Sequence, residues 1–136
     1  MSNLSKEDFD FLAFKAYQIR RDCIRATTAA KSGHPTSCLS ASDIVSTLFF
    51  KEMSYDPQNP HNLNNDRLVL SKGHAIPVIY AAWKNVGLIS DEDLLSLRKV
   101  DSPFEGTSLP NINTLILHGE SEKLFRIEFC CADAFN

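Results

Sequence analysis

Glycine and proline are scarce in this sequence, and neither sign of charge dominates it. The chain has 136 residues with five glycines, six prolines and a formal net charge of −3. So little glycine and proline excludes a collagen-like protein, and a hydrophobic content of 43% is typical of a soluble globular chain. Because lysine and arginine form no basic stripe, we expect no nucleic-acid partner.

Long hydrophobic runs are also missing. The longest, Ala75–Trp83, is interrupted by Pro77. It is far shorter than the roughly 20 residues that a membrane-spanning helix needs. The first residues lack the basic start and apolar core of a signal peptide. We therefore expect no membrane partner and a cytoplasmic location.

The cysteines show no spacing typical of a disulfide framework or a zinc site. Cys23 and Cys38 stand apart, Cys130 and Cys131 are adjacent, and no C-x-x-C pattern occurs. Reduced thiols are the default for such a chain inside the cell. The residues alone therefore predict no metal site.

The strongest periodic pattern predicts a helix over residues 6–31. Its apolar residues recur at steps of three and four and share one face: Phe9, Leu12, Ala16, Ile19, Cys23, Ala26 and Ala30. Ser5 is a candidate N-cap, with Asp8 placed to complete a capping box. Gly33 is expected to supply the positive φ that ends the helix, and Pro35 prevents its continuation.

Further elements follow from caps, turn residues and apolar runs. The predicted elements are a helix over 40–51 capped by Ser40, a loop over 54–66, a strand over 67–71, and helices over 77–87 and 90–99. The last helix starts at Ser90, with Asp93 at its third position as in a capping box. The second helix should bury Ile44, Val45, Leu48 and Phe49. In the C-terminal part, segments 114–118 and 124–129 read as strands of a hairpin.

Two segments place glycine beside histidine at a boundary between elements. They are Ser32–Ser37, after the first helix, and Ser71–His74, where a buried strand turns into a helix. Ligands of open α/β sheets bind outside the carboxyl ends of strands, and helix N-termini attract phosphate. A histidine there can donate to a phosphoryl oxygen, but Gly33 can equally serve as a helix stop and His74 as a cap. His61 and His118 have no such setting, and we expect them in solvent.

These segments carry a resemblance to a known family. Ala26–Cys38, Asn65–Ala75 and the spacing between them resemble the N-terminal region of transketolases, notably of the animal type. The resemblance covers roughly residues 10–106. It implies an α/β fold class, this chain being a helix-rich N-terminal part of a doubly wound, parallel-sheet, thiamine-diphosphate-binding fold.

The resemblance also implies an activity and its residues. The family transfers a two-carbon ketol unit between sugar phosphates in the pentose phosphate pathway, as a homodimer, with thiamine diphosphate and Mg²⁺ or Ca²⁺. His34 matches the family's substrate-facing histidine, Ser37 a serine that touches the cofactor, and His74, after Gly73, a histidine at the diphosphate.

The resemblance stops after Gly106, where the family pattern continues and Thr107-Ser108 stand instead. We therefore expect residues 1–106 to be a partial diphosphate-binding domain and 107–136 a divergent tail. The metal-binding and pyrimidine-domain motifs of the family are absent from these 136 residues, so we expect no activity from them alone and doubt that they hold the cofactor unaided. The alternatives are a non-enzymatic protein that binds or perturbs the intact enzyme, or a product without function.

Overall fold

The fold begins with a long N-terminal helix, α1. The computed structural model describes residues 4–59, 62–70, 72–100, 102, 104 and 124–127. Helix α1 spans Lys6–Ala30, and the Ser5 side chain accepts from the Asp8 amide in the predicted capping box. The helix ends one residue earlier than predicted, because Lys31 rather than Gly33 is its left-handed cap (φ 50°).

Most of the predicted apolar face of α1 is buried. Leu12, Ala16, Ile19, Cys23 and Ala26 are all at most 8% exposed. The prediction was wrong for Phe9, whose side chain is 64% exposed. Phe9 lies about one turn before Leu12, the first buried residue of α1.

Helix α2 spans Pro35–Thr47 and continues as a π-helical turn over Leu48–Glu52. The predicted start at Ser40 was wrong. Pro35, whose ring presets a helical φ, occupies the first turn instead. The Ser40 hydroxyl does not cap the helix but donates back to the Ser37 carbonyl at 3.0 Å.

Three of the four residues that were predicted to be buried on the second helix are buried. Val45, Leu48 and Phe49 are at most 9% exposed, as expected. The prediction was wrong for Ile44, which is 47% exposed. The buried side of α2 is formed by Cys38, Ala41, Ser42 and Val45, and at about 100° per residue Ile44 lies beside it rather than on it.

Two strands are described, and they pair in parallel. Strand β1 spans Arg67–Leu70 and strand β2 spans Leu124–Ile127, with Arg67 opposite Leu124. Both were predicted as strands. Residues 114–118, the proposed hairpin partner, lie outside the described residues, as does the boundary after Gly106.

Two shorter helices complete the described part. A 3-10 turn over Gly73–Ala75 leads into α3, Pro77–Asn85, whose residues from Pro77 to Trp83 are all buried. Helix α4 spans only Asp91–Leu95, with Ser90 and Asp93 in the predicted capping box. Its predicted extension to residue 99 was wrong, because Arg98 adopts a left-handed φ of 58° that breaks the helix.

The core lies where α1, α2 and α3 meet. Its largest fully buried side chains include Ile19, Val45, Val78 and Tyr80, and β1 contributes Leu68 at its edge. No helix among the described residues is long and apolar enough to cross a membrane. His61, His118, Cys130 and Cys131 lie outside the described residues.

Candidate functional site

The two predicted histidines meet at one place on the surface. His34 precedes α2 and His74 lies in the 3-10 turn that follows β1. Their ring centroids are 4.7 Å apart, with an edge-to-face angle of 66°, and both side chains are exposed. The fold therefore brings the two glycine–histidine segments together into one face, here called the histidine face (His34 and His74).

The backbone before His34 is held by the end of α1. The Lys31 and Ser32 amides donate to the carbonyls of Thr28 and Thr27 at 3.1 and 3.2 Å. Gly33 has a φ of +127° and lies so close to α1 that a Cβ built there would be 2.8 Å from Cγ2 of Thr27. Only glycine fits this passage without strain, and the passage sets where His34 emerges.

A buried cysteine, Cys38, connects the two glycine–histidine segments. The Cys38 thiol, in the second turn of α2, donates to the Ala75 carbonyl at 3.8 Å. The Cys23 thiol of α1 donates to the next turn, at the Pro77 carbonyl, at 3.6 Å. Both thiols are fully buried, and hydrogen bonding to Cys38 together with burial raises the pKa of the Cys23 thiol. The two buried thiols therefore link α1 and α2 to the turn that carries His74 and to the start of α3.

The start of α2 offers donors beside the histidine face. Pro35 has no N–H and the Cys38 amide donates to the His34 carbonyl at 3.4 Å. The amides of Thr36 and Ser37 are therefore the first-turn donors that face away from the helix. The first turn carries no acidic residue, so its positive dipole end is not neutralised by the chain.

All four predicted site residues lie in these two turns. Ser37 is half-buried in the first turn of α2, and half-buried Gly73 comes directly before His74. Sequence reasoning missed three residues that support them. Thr27 packs against Gly33, and the Cys38 thiol donates to the Ala75 carbonyl. The Arg98 guanidinium donates to the Ser32 hydroxyl. No spacing rule identifies these contacts, because each joins residues that only the tertiary fold brings together.

The arrangement is suited to binding an oxyanion and not, by itself, a metal ion. Two imidazoles and helix-start amides can all donate to phosphoryl oxygens. Among the described residues, no group of three or more His, Cys, Asp or Glu side chains could hold a metal ion.

Comparison with known proteins gives consistent matches over this region. The family model described as "Transketolase, thiamine diphosphate binding domain" matches residues 14–114. "Transketolase" of Homo sapiens is 52% identical over 95 residues, which are 70% of this chain and 15% of the human protein. "Transketolase-like protein 2" of Mus musculus is 45% identical over 112 residues, 82% of this chain and 18% of its own length.

A solved structure agrees with these sequence matches. "Transketolase from Leishmania mexicana" superposes with a TM-score of 0.73 at 25% identity, covering 77% of this chain and 16% of that protein. The chain therefore spans about 15–18% of the length of the curated and solved relatives described here.

Proposed function

The chain belongs to the transketolase family, and we propose that thiamine diphosphate binds at its histidine face, where His74 holds the diphosphate. In this role it is part of a site that transfers a two-carbon ketol unit from ketose to aldose phosphates. The observation that carries the proposal is the 4.7 Å contact between His34 and His74, which come from separate segments. In this proposal the site operates in a doubly wound parallel sheet, to which the chain contributes β1.

The residues present fit a diphosphate group. His74 can donate to one phosphoryl oxygen, and the Thr36 and Ser37 amides at the start of α2 can donate to another. Gly73 has no side chain, so the backbone before His74 can approach the ligand closely. No acidic side chain in the first turn of α2 repels the negative charge.

His34 has a different role, toward the substrate. Bound thiamine diphosphate supplies the electron sink that breaking a ketose carbon–carbon bond requires. The exposed His34 imidazole can donate a hydrogen bond to the ketose carbonyl oxygen and stabilise negative charge that develops there. His34 is therefore the proposed catalytic residue, and Ser37, Gly73 and His74 are the proposed cofactor-binding residues.

The divalent metal of the family does not fit the described residues. Mg²⁺ and Ca²⁺ prefer oxygen ligands. The histidine face offers nitrogen donors, and no cluster of three potential ligands is found in the described part of the chain. We therefore derive no step through a metal ion, and we propose that these 136 residues alone bind the cofactor weakly and do not catalyse ketol transfer. Sugar phosphates and a second subunit are partners of the whole enzyme in this proposal.

The experiment compares thiamine diphosphate with thiamine, which lacks the diphosphate. We expect the backbone amide signals of Ser37, Gly73 and His74 to shift with thiamine diphosphate, at a Kd on the order of 1 mM, and to stay fixed with thiamine. His74→Ala should weaken binding at least fivefold, whereas Lys6→Ala, at the far end of α1, should not change it. Equal responses to both ligands, or ketol transfer by this chain alone, would contradict the proposal.

A second candidate function is non-enzymatic. Helix α1 exposes four aromatic side chains, Phe9 at 64%, Phe11 at 47%, Phe14 at 55% and Tyr17 at 59%, and such exposed apolar surface favours protein association. The chain would then bind an intact transketolase subunit. Capture of purified full-length transketolase, lost in Phe14→Lys, would support this role; no capture would exclude it and leave the chain without this function.

A further inference from the structure

The side chain of Arg98 reaches across the surface to the loop that carries His34. Arg98 follows α4, and its guanidinium Nη1 donates to the hydroxyl of Ser32. Ser32 is two residues before His34 and lies between the left-handed Lys31 and the tightly packed Gly33. The contact therefore joins the exit of α4 to the approach to the histidine face.

The backbone of Arg98 is fixed to the core, so the side chain starts from a defined point. Arg98 has a left-handed φ of 58°, and its amide donates to the Phe104 carbonyl at 2.8 Å. The Phe104 ring packs edge-to-face on Tyr80 with centroids 5.2 Å apart, and Tyr80 is only 1% exposed. A continuous set of contacts therefore runs from the core through Phe104 and Arg98 to Ser32.

The turn at Ser32 and Gly33, which leads to His34, is held closely against α1. The Ser32 amide is bound to the Thr27 carbonyl at 3.2 Å, and Gly33 lies against the Thr27 side chain. The Ser32 side chain, in contrast, is bound by Arg98, a residue outside α1. The hydrogen bond from Arg98 therefore acts on the side chain of Ser32, two residues before His34.

We propose that Arg98 is a positioning residue, which through Ser32 keeps the His34 imidazole in contact with His74. Arginine is suited to this because its planar guanidinium gives a directed donor at the end of a long side chain. The inference rests on the proposed function only in giving His34 its substrate-facing role, since the ring contact itself is a property of the free chain.

The experiment measures the ring contact directly in the full 136-residue chain without ligand. The readout is the NOE between the His34 and His74 ring protons, in the wild type, Arg98→Gly, Ser32→Ala and the double variant. Glycine is chosen at position 98 because it accepts the left-handed φ and preserves the turn. The matched control is Lys99→Ala, which removes the neighbouring exposed cation.

We expect the NOE to fall at least threefold in both single variants and no further in the double variant, while Lys99→Ala keeps the wild-type intensity. An NOE in Arg98→Gly equal to that in Lys99→Ala would overturn the proposal. If far-UV circular dichroism shows that Arg98→Gly is unfolded, Ser32→Ala decides by the same criterion. Failure of the cofactor proposal would instead appear as missing thiamine diphosphate shifts with the ring NOE intact.

Discussion

At position 33 the chain passes α1 with a backbone φ of +127° and almost no space for a side chain. Two separate costs would follow from any larger residue there. One is the backbone conformation, which residues with a Cβ rarely adopt, and the other is the 2.8 Å approach to Cγ2 of Thr27. Gly87 has a φ of +83° with nothing within 4 Å of a built Cβ, so it isolates the first cost.

We predict that Gly33→Ala destabilises the chain by about 3 kcal/mol and Gly87→Ala by only about 1 kcal/mol. Urea unfolding followed by circular dichroism measures both. Adding Thr27→Ser to Gly33→Ala removes the clashing methyl and should recover about 1 kcal/mol, since the serine hydroxyl can still donate to the Cys23 carbonyl. Equal losses in the two single variants would show that packing against Thr27 contributes nothing.

At the scale of single residues, the sequence identified the candidate site residues but not the residues that hold them in place. His34 and His74 could be singled out because glycine–histidine pairs stood at element boundaries, and the fold places them together. Thr27 and Arg98 could not be found in that way, because their importance comes from contacts at Gly33 and Ser32 that no local pattern encodes.

Between elements, a buried carboxylate joins α1 to α3. Asp22 is fully buried and accepts from Lys84 Nζ at 2.8 Å, Arg21 Nη2 at 3.0 Å and Asn85 Nδ2 at 3.0 Å. Burial alone raises the pKa of Asp22, but the hydrogen bonds from Lys84 and Arg21 outweigh it and lower the pKa. The ionised carboxylate is therefore the form that holds these helices together.

We predict that Asp22→Asn destabilises the chain by on the order of 2 kcal/mol, because it removes the charged acceptor of Arg21 and the nearer of the two carboxylates beside Lys84. Asp43→Asn is the matched control. Asp43 pairs with Arg20 but is 67% exposed, so its loss should change the free energy of unfolding by less than about 0.5 kcal/mol. The same urea titrations measure both. An Asp22→Asn protein as stable as Asp43→Asn would contradict this account of the helix contacts.

A second carboxylate, Asp91, makes the contact between α1 and α4 sensitive to acid. Arg25 donates to both oxygens of Asp91 at 2.6 Å, which lowers the pKa of Asp91 from 3.8 to about 2. A carboxyl whose pKa is lower in the folded state stabilises the fold above its unfolded pKa, and this contribution is lost as the pH falls through the folded value.

We therefore predict stability that is steady near neutral pH and falls between about pH 4 and pH 2. Asp91→Asn should lose less stability over this interval than the wild type, because it has no carboxyl to protonate at this position. Thermal unfolding at a series of pH values tests the prediction. An acid dependence that is identical in the two proteins would show that the Arg25–Asp91 pair does not contribute.

Helix boundaries that are set by local sequence were predicted correctly, whereas boundaries that depend on other contacts were missed. The capping boxes of α1 and α4 were predicted from Ser5 and Ser90 and are present. The start of α2 was missed because Ser40 has a suitable identity for a cap, yet its hydroxyl bonds backward inside a helix that Pro35 already begins.

On the scale of the whole molecule, the described fold is a helical core with one histidine face. Helices α1, α2 and α3 bury a common core, and the turns that carry His34 and His74 leave it on the same side. The family could be inferred from the sequence because two motifs and their spacing matched together. The predicted sheet depends on pairing between strands far apart in the sequence, and the described residues contain one such pair, β1 and β2.

The most direct test of the account is a titration of the free chain with inorganic diphosphate, followed by the ring signals of His34 and His74. The account predicts that the His74 ring shifts along a saturation curve with a Kd on the order of 1 mM, because His74 binds the diphosphate. The His34 ring, whose centroid lies 4.7 Å away, should follow the same curve with a smaller shift. Sulfate at matched ionic strength should produce smaller shifts. If the His74 ring does not move at about ten times that concentration, or if the His34 ring moves and the His74 ring does not, the histidine face is not the diphosphate site that the account describes.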